Sequence, residues 1–175
     1  MTDEEIIQGC IKNNPKAQEF LYNKYSKKML GVCMRYATDA DEADDMLQLG
    51  FINVFKYVSS YSFNGSLEGW VRKVVVNAAL SLIRKNKKLK HNVEFDSVDF
   101  MIQASSQASD QIQTKDLLKI IQTLPTGAKT IFNLFAIEGY SHAEIGKMLN
   151  ISEGTSKSQY SRARAYLKKV IKNHQ

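Results

Sequence analysis

The side chains with the most to offer chemically lie near the end of the chain, where Thr155, Lys157, Ser158, Ser161 and Arg162 mix short hydroxyls with long cations. Between 153 and 172 there are six basic residues (Lys157, Arg162, Arg164, Lys168, Lys169 and Lys172) against one acid, Glu153. Short polar groups at a helix start can approach base edges while the cations beyond them reach phosphates, so the pattern suits a helix lying in the major groove of duplex DNA. A second cationic group stands at Arg84, Lys85, Lys87, Lys88 and Lys90, with Arg72 and Lys73 ahead of it. That density exceeds what the carboxyl end of a helix needs and favours phosphate contact. No paired catalytic carboxylates, nucleophile with a base, phosphate loop or metal cluster accompanies these groups. His91, His142 and His174 are scattered and read as surface or capping residues. No cofactor is called for, and the chain is not expected to be an enzyme.

Elements must present these groups, and their ends are written in the residues. Ser141 followed by Glu144 is a reciprocal capping box, and Gly139 before it suits a left-handed stop for the preceding helix. Ala143, Ile145, Met148 and Leu149 are the apolar positions of a short helix that ends at Asn150, a residue tolerant of positive φ. Ser152 caps the next helix, from Glu153 to about Lys172, whose stripe of Tyr160, Ala163, Leu167 and Ile171 packs with Ile151 against the first. Residues 139–167 therefore read as a helix-turn-helix.

The same logic places helices upstream. Thr2 with Glu5 forms another capping box, and Asn14 before Pro15 opens a helix carrying Phe20, Leu21, Tyr25, Met29, Val32 and Tyr36, with room to bend at Gly31. Five acids between 39 and 45 complement the positive end of a helix that runs to about Val58, with Ala43, Leu47, Phe51, Val54 and Val58 inward. A loop over 62–65 leads to Ser66, the cap of a helix with Leu67, Trp70, Val71, Val74, Val75, Ala78, Leu80, Leu82 and Ile83 as its apolar positions. Pro125 starts a later helix with Ala128, Ile131, Phe132, Leu134 and Phe135 inside.

Composition bounds the whole. At 175 residues, 43% hydrophobic and 24% charged, the chain has enough material for one sizeable core or two small ones. Few alternating runs, two prolines and nine glycines predict an all-α fold. Residues 1–91 hold 14 basic and 10 acidic residues, 92–112 hold four acids and no Lys or Arg, and 113–175 hold 10 basic and four acidic. Two small helical domains, 1–91 and 113–175, are thus expected, joined by a flexible acidic linker over 92–112. Cys10 and Cys33 support neither a zinc site nor a disulfide framework and read as thiols of a reducing compartment. With no apolar run near the roughly 20 residues of a membrane span and no secretory signal pattern at the acidic start, membrane insertion is not expected and a cytoplasmic location is.

The ordered series of motifs resembles the extracytoplasmic-function sigma factors, the two-domain class of bacterial RNA polymerase initiation subunits. It runs Asp41-Glu42-Ala43-Asp44-Asp45, Leu47-Gln48, Phe51-Ile52, Val54-Phe55-Lys56, Phe63-Asn64-Gly65, Gly69-Trp70 and Val76-Asn77-Ala78-Ala79. In the second half come Leu124-Pro125, Ile131-Phe132, Glu138-Gly139, Tyr140-Ser141, Glu144-Ile145, Ile151-Ser152, Gly154-Thr155, Lys157-Ser158 and Arg162-Ala163-Arg164. The resemblance implies that Asp45, Gln48, Ile52 and Phe55 dock on core RNA polymerase. It implies that Phe63, Asn64, Gly65, Ser66 and Asn77 hold a base flipped from the melted minus-ten element, with Ser81 and Arg84 as strand contacts. It further implies that Thr155, Lys157, Ser158, Ser161 and Arg162 read the minus-thirty-five element as duplex, and that an anti-sigma protein is a partner such families often have. Leu49, where the family usually has an acid, Asn53, where a cation is frequent, and Ser156, where Val or Ile is usual, depart from the pattern. The alternative is a helix-turn-helix regulator that binds duplex DNA without acting as a polymerase subunit.

Overall fold

A computed structural model describes residues 1–89 and 114–173. The linker expected over 92–112 lies outside them, as do Lys90, His91 and His174. Every regular element among the described residues is helical, as the scarcity of alternating patterns requires. The chain divides into two compact units, Met1–Asn86 and Lys87–Gln175.

In the first unit, α1 (Asp3–Ile11) starts at the predicted box: the Thr2 amide donates to Glu5 at 2.7 Å and the Glu5 amide to Thr2 Oγ1 at 3.2 Å. Asn14 caps α2 (Pro15–Tyr36) by accepting from the Lys16 and Ala17 amides. α3 (Ala40–Tyr57) opens at Asp39, which accepts from the Glu42 amide at 2.8 Å. The Glu42 carboxylate in turn takes the amide and hydroxyl of Thr38 and an amide proton of Asn86. The acidic cluster is therefore partly a cap, and it ties the start of α3 to α4 (Leu67–Leu89). A 3-10 turn, Val58–Ser60, closes α3 one residue earlier than expected.

α2 packs between α1 and α3. Its stripe of Leu21, Tyr25, Met29, Val32 and Tyr36 is buried, but Phe20 is left exposed. Gly50 lets α3 meet α4 closely, since a Cβ there would stand 2.9 Å from Val75 Cγ2. Each fully buried Leu, Ile, Val or Met contributes about 1.5–3 kcal/mol, so the packed stripes rather than the helices' own propensities hold the unit together. Salt bridges Lys24–Asp3 and Lys28–Glu68 pin the outside. Burial pushes the Cys33 thiol up to about 12, leaving it a packing group.

The second unit begins with a helix the sequence reading did not separate, α5 (Thr114–Gln122), ahead of Pro125. Pro125 sits at the cap position and α6 (Thr126–Phe132) follows it. Asn133–Ile137 then continues as a π-helical segment, so the expected long helix is short and widened at its end. α7 (His142–Leu149) and α8 (Glu153–Asn173) complete the unit, with α8 packed on α5, α6 and α7. Ile121, Leu124, Ala128, Ala163 and Leu167 form one core cluster, with Ile120, Phe132 and Tyr166 against it, and Ile131, Leu134, Ile145 and Leu149 are buried as well. Ala143, expected inward, is exposed, and Gly146 takes the buried place on α7 instead.

Candidate nucleic-acid interface

The helix-turn-helix is built by its caps. Gly139 takes φ of 82°, the Ser141 amide donates to the Glu144 carboxylate at 2.7 Å, and the Glu144 amide donates back to Ser141 Oγ at 3.1 Å. Asn150 sits in the left-handed region at φ 56°, ψ 48°, and its amide and that of Ile151 both reach Gly146 O. Ser152 Oγ accepts the Thr155 amide at 3.0 Å and donates to Thr155 Oγ1 at 2.8 Å.

On α8 the packed and free faces separate as the periodicity predicts. Ala163 and Leu167 are buried and Tyr160 and Ile171 partly so, while Lys157, Ser158, Ser161 and Arg162 are exposed and Thr155 is half-buried at the cap. Lys157 is held by Glu153 at 2.9 Å, and this pair keeps the Glu153 carboxyl below its usual range. An exposed pair of this kind is weak, so a phosphate can draw Lys157 away at little cost.

Ser156, Gln159 and His142 owe their places to packing rather than to any local sequence signal. Ser156 and Gln159 are fully buried, extending the inner face of α8 by about two turns before Ala163 with polar groups. His142, read as a surface or capping residue, lies half-buried with its ring stacked on Phe135 at 4.2 Å and its Nδ1 2.9 Å from Ser156 Oγ. Burial, then the Lys157 charge, hold its pKa below the ordinary 6.5, against a smaller opposing effect of Glu153. The contact joins residues 14 apart across the turn, so neither capping chemistry nor periodicity marks it in the sequence.

In the first unit the loop before α4 is strained and aromatic. Phe63 stands at φ 60° with half its surface exposed, and Gly65 follows at φ 93°. Asn64 is exposed beside them. Ser66 Oγ accepts the Gly69 amide at 3.0 Å, as a cap should. Tyr61, which the sequence reading passed over, is buried and organises the loop: its hydroxyl donates to Gly65 O at 2.8 Å, and its ring lies 4.8 Å from Phe63 and 5.6 Å from Trp70. Trp70, Asn77, Ser81 and Arg84 follow one another at helical spacing on α4, so the loop sits at the head of that stripe. Asn77 is exposed; Ser81 Oγ donates to Asn77 O at 3.0 Å, and Arg84 donates to Ser81 Oγ at 3.3 Å. A positive-φ aromatic and an exposed amide beside a cationic helix are suited to stacking on, and hydrogen-bonding to, an unstacked base.

The remaining surface of interest is the outer face of α3. Asp45, Gln48 and Ile52 are exposed, Ile52 at 61%, and Phe55 is half-buried 6.1 Å from Phe51. They recur at intervals of three and four and so share a face opposite Ala43, Leu47 and Val54. Leu49 and Asn53 are half-buried between the two faces.

Comparison with known proteins matches both halves. Residues 21–89 match the sigma-70 region 2 family and residues 114–167 match sigma-70, region 4. The sigma-H factor of RNA polymerase from Pseudomonas aeruginosa is 24% identical, over 97% of this chain and 93% of the relative. SigW of Bacillus subtilis, an ECF RNA polymerase sigma factor, is 27% identical over 99% of this chain and 98% of its own length. Among solved structures, the sigma factor RpoE of Bartonella quintana, in complex with the anti-sigma factor NepR, has a similar fold, with a TM-score of 0.54 at 20% identity over 88% of this chain and 96% of that one.

Proposed function

Because this chain belongs to the sigma-70 family, in its extracytoplasmic-function class, we propose that its two units divide the work of a dissociable specificity subunit of bacterial RNA polymerase. The first unit docks on core polymerase through Asp45, Gln48, Ile52 and Phe55 on α3. It captures a flipped minus-ten base with Phe63, Asn64, Gly65, Ser66 and Asn77, while Ser81 and Arg84 hold the strand. The second unit reads the minus-thirty-five element as duplex with Thr155, Lys157, Ser158, Ser161 and Arg162. Domains of 1–91 and 113–175, with 92–112 between them, are the division this reading uses.

The observation that carries it is the order of the two matches on one chain, region 2 before region 4. A regulator that needs only duplex DNA has no use for the first. Initiation is then a matter of binding and strand capture, and the bond-making chemistry belongs to core polymerase, so this subunit is not an enzyme and needs no cofactor. No described helix is long and apolar enough to cross a membrane, which accords with a site of action in the cytoplasm, where polymerase works. An anti-sigma protein, such as the one bound to the Bartonella relative, is a further partner this reading accommodates.

The two DNA surfaces can be tested apart. Arg162→Ala weakens capture of double-stranded promoter by about 1–3 kcal/mol and spares a template already melted at minus ten. Asn77→Ala does the reverse, leaving duplex capture near normal, reducing open-complex formation several-fold and changing base preference at one minus-ten position. Permanganate footprinting of the bubble, with binding to duplex and pre-melted promoters, reads both; equal loss on both templates for Asn77→Ala would remove the flipped-base assignment.

A further inference from the structure

The first turns of α8 bury polar side chains where its later turns bury hydrocarbon. Leu167 anchors the distal half in the apolar core, but the buried positions nearer the turn are Ser156, Gln159 and Ala163. Ala163 packs into that same core, and beside Ser156 lies a cluster of rings. His142, at the first position of α7, stacks on Phe135 at 4.2 Å with planes 9° apart, and Tyr160 lies 4.5 Å from Phe135 and 5.7 Å from His142. From this cluster a polar bond reaches the inner face of α8, His142 Nδ1 to Ser156 Oγ at 2.9 Å. Apolar contacts tolerate sliding and rotation, whereas a hydrogen bond between buried partners is directional. Ser156 lies between Thr155 and Lys157 in the chain, so whatever fixes it inward also fixes where those neighbours point.

We propose that His142 is a positioning residue for duplex recognition: through Ser156 it sets the rotation of the first turns of α8, and so how sharply the face carrying Thr155, Lys157, Ser158, Ser161 and Arg162 discriminates among bases. The inference rests on the reading that this face enters duplex DNA. His142 itself needs no contact with a base. Its stacked ring supplies a rigid support, and Ser156 transmits it. Loss of His142 leaves the buried Ser156 hydroxyl without this bond, and loss of the hydroxyl frees the ring, so the two act as one unit.

The test uses full-length protein assembled with core polymerase and two duplex promoters, one selected by the holoenzyme from a randomised pool and one with its minus-thirty-five element scrambled. The readout is the ratio of the two affinities. His142→Ala and Ser156→Ala each lower this ratio several-fold, and the double variant lowers it no further than the larger single change. His142→Asn, which can keep an amide near the place of Nδ1, retains more of the ratio than His142→Ala. A role in stability alone reduces the active fraction on both templates and leaves the ratio unchanged, and that result overturns the proposal. So does an equal loss in His142→Asn and His142→Ala. Ser156→Ala removes only a hydroxyl and serves if His142→Ala fails to fold. Arg162→Ala is run alongside: if it leaves duplex capture intact, the reading of α8 itself fails, whereas its normal loss beside unchanged His142 ratios refutes only the positioning role.

Discussion

At the scale of single residues, the effects that matter are those of polar groups drawn wholly or partly out of water. His142 is one, and its pKa gives a measurable consequence. The folded value lies below 6.5, so the unfolded chain takes up a proton more readily than the folded one. The contribution of neutral His142 to stability is therefore fully present above about pH 6.5 and is lost as pH falls through the depressed folded value. The bond to Ser156 can survive protonation, with the hydroxyl as acceptor; what resists the charge is burial and the Lys157 ammonium, with Glu153 partly offsetting. Denaturation of a 113–175 fragment between pH 8 and 5 should show a steeper acid decline in the wild type than in His142→Asn. Parallel curves would show that the imidazole titrates without consequence for the fold. Tyr61, buried, closes the Phe63–Gly65 loop through its hydroxyl while its ring meets Phe63 and Trp70.

At the scale of elements, α3 serves two roles by having two faces. Its inner face, with Ala43, Met46, Leu47, Phe51 and Val54, is consumed by packing, and Gly50 adds the close approach to Val75. Its outer face keeps Gln48 and Asp45 beside an exposed Ile52, an apolar group among polar ones, which is how a protein-docking surface commonly looks before its partner arrives. Asp45 and Gln48 carry no packing, so Asp45→Ala with Gln48→Ala should leave the helix content and thermal midpoint unchanged. It should weaken assembly with core polymerase by on the order of tenfold, about 1.4 kcal/mol. Undiminished copurification of core polymerase by the folded double variant would refute docking by this face. The half-buried Leu49 and Asn53 lie off the outer face, so their departure from the usual acid and cation need not spoil it.

At the scale of the whole molecule, 175 residues are spent on two cores rather than one, each able to bury its own apolar stripes. Segments 1–91 and 113–175 each carry more basic than acidic residues, consistent with each meeting phosphate separately. Fragments 1–91 and 113–175, made separately, should each be helical and unfold cooperatively, and the full chain should unfold as the sum of the two. A fragment that lacks a cooperative transition by calorimetry would show that its core needs the other half. Below about 70 residues a lone core supplies only a few kcal/mol, so the second fragment should be the less stable.

Local signals along the chain determined the helix ends and the family. Thr2 with Glu5, Asn14 with Pro15, Ser66, Ser141 with Glu144, Asn150 and Ser152 all work within a few residues, so their chemistry is readable without a fold. The apolar stripes and the lopsided charge of α8 are equally local in origin. The tertiary structure alone decided that α6 ends in a π-helical segment, that α5 supplies Ile121 to the second core, that Phe20 is left outside, and that Glu42 joins Thr38 to Asn86. It also decided that His142 meets Ser156. These depend on groups 14 to 44 residues apart finding each other, or on which side of a helix its neighbours cover, and neither periodicity nor capping chemistry carries that information.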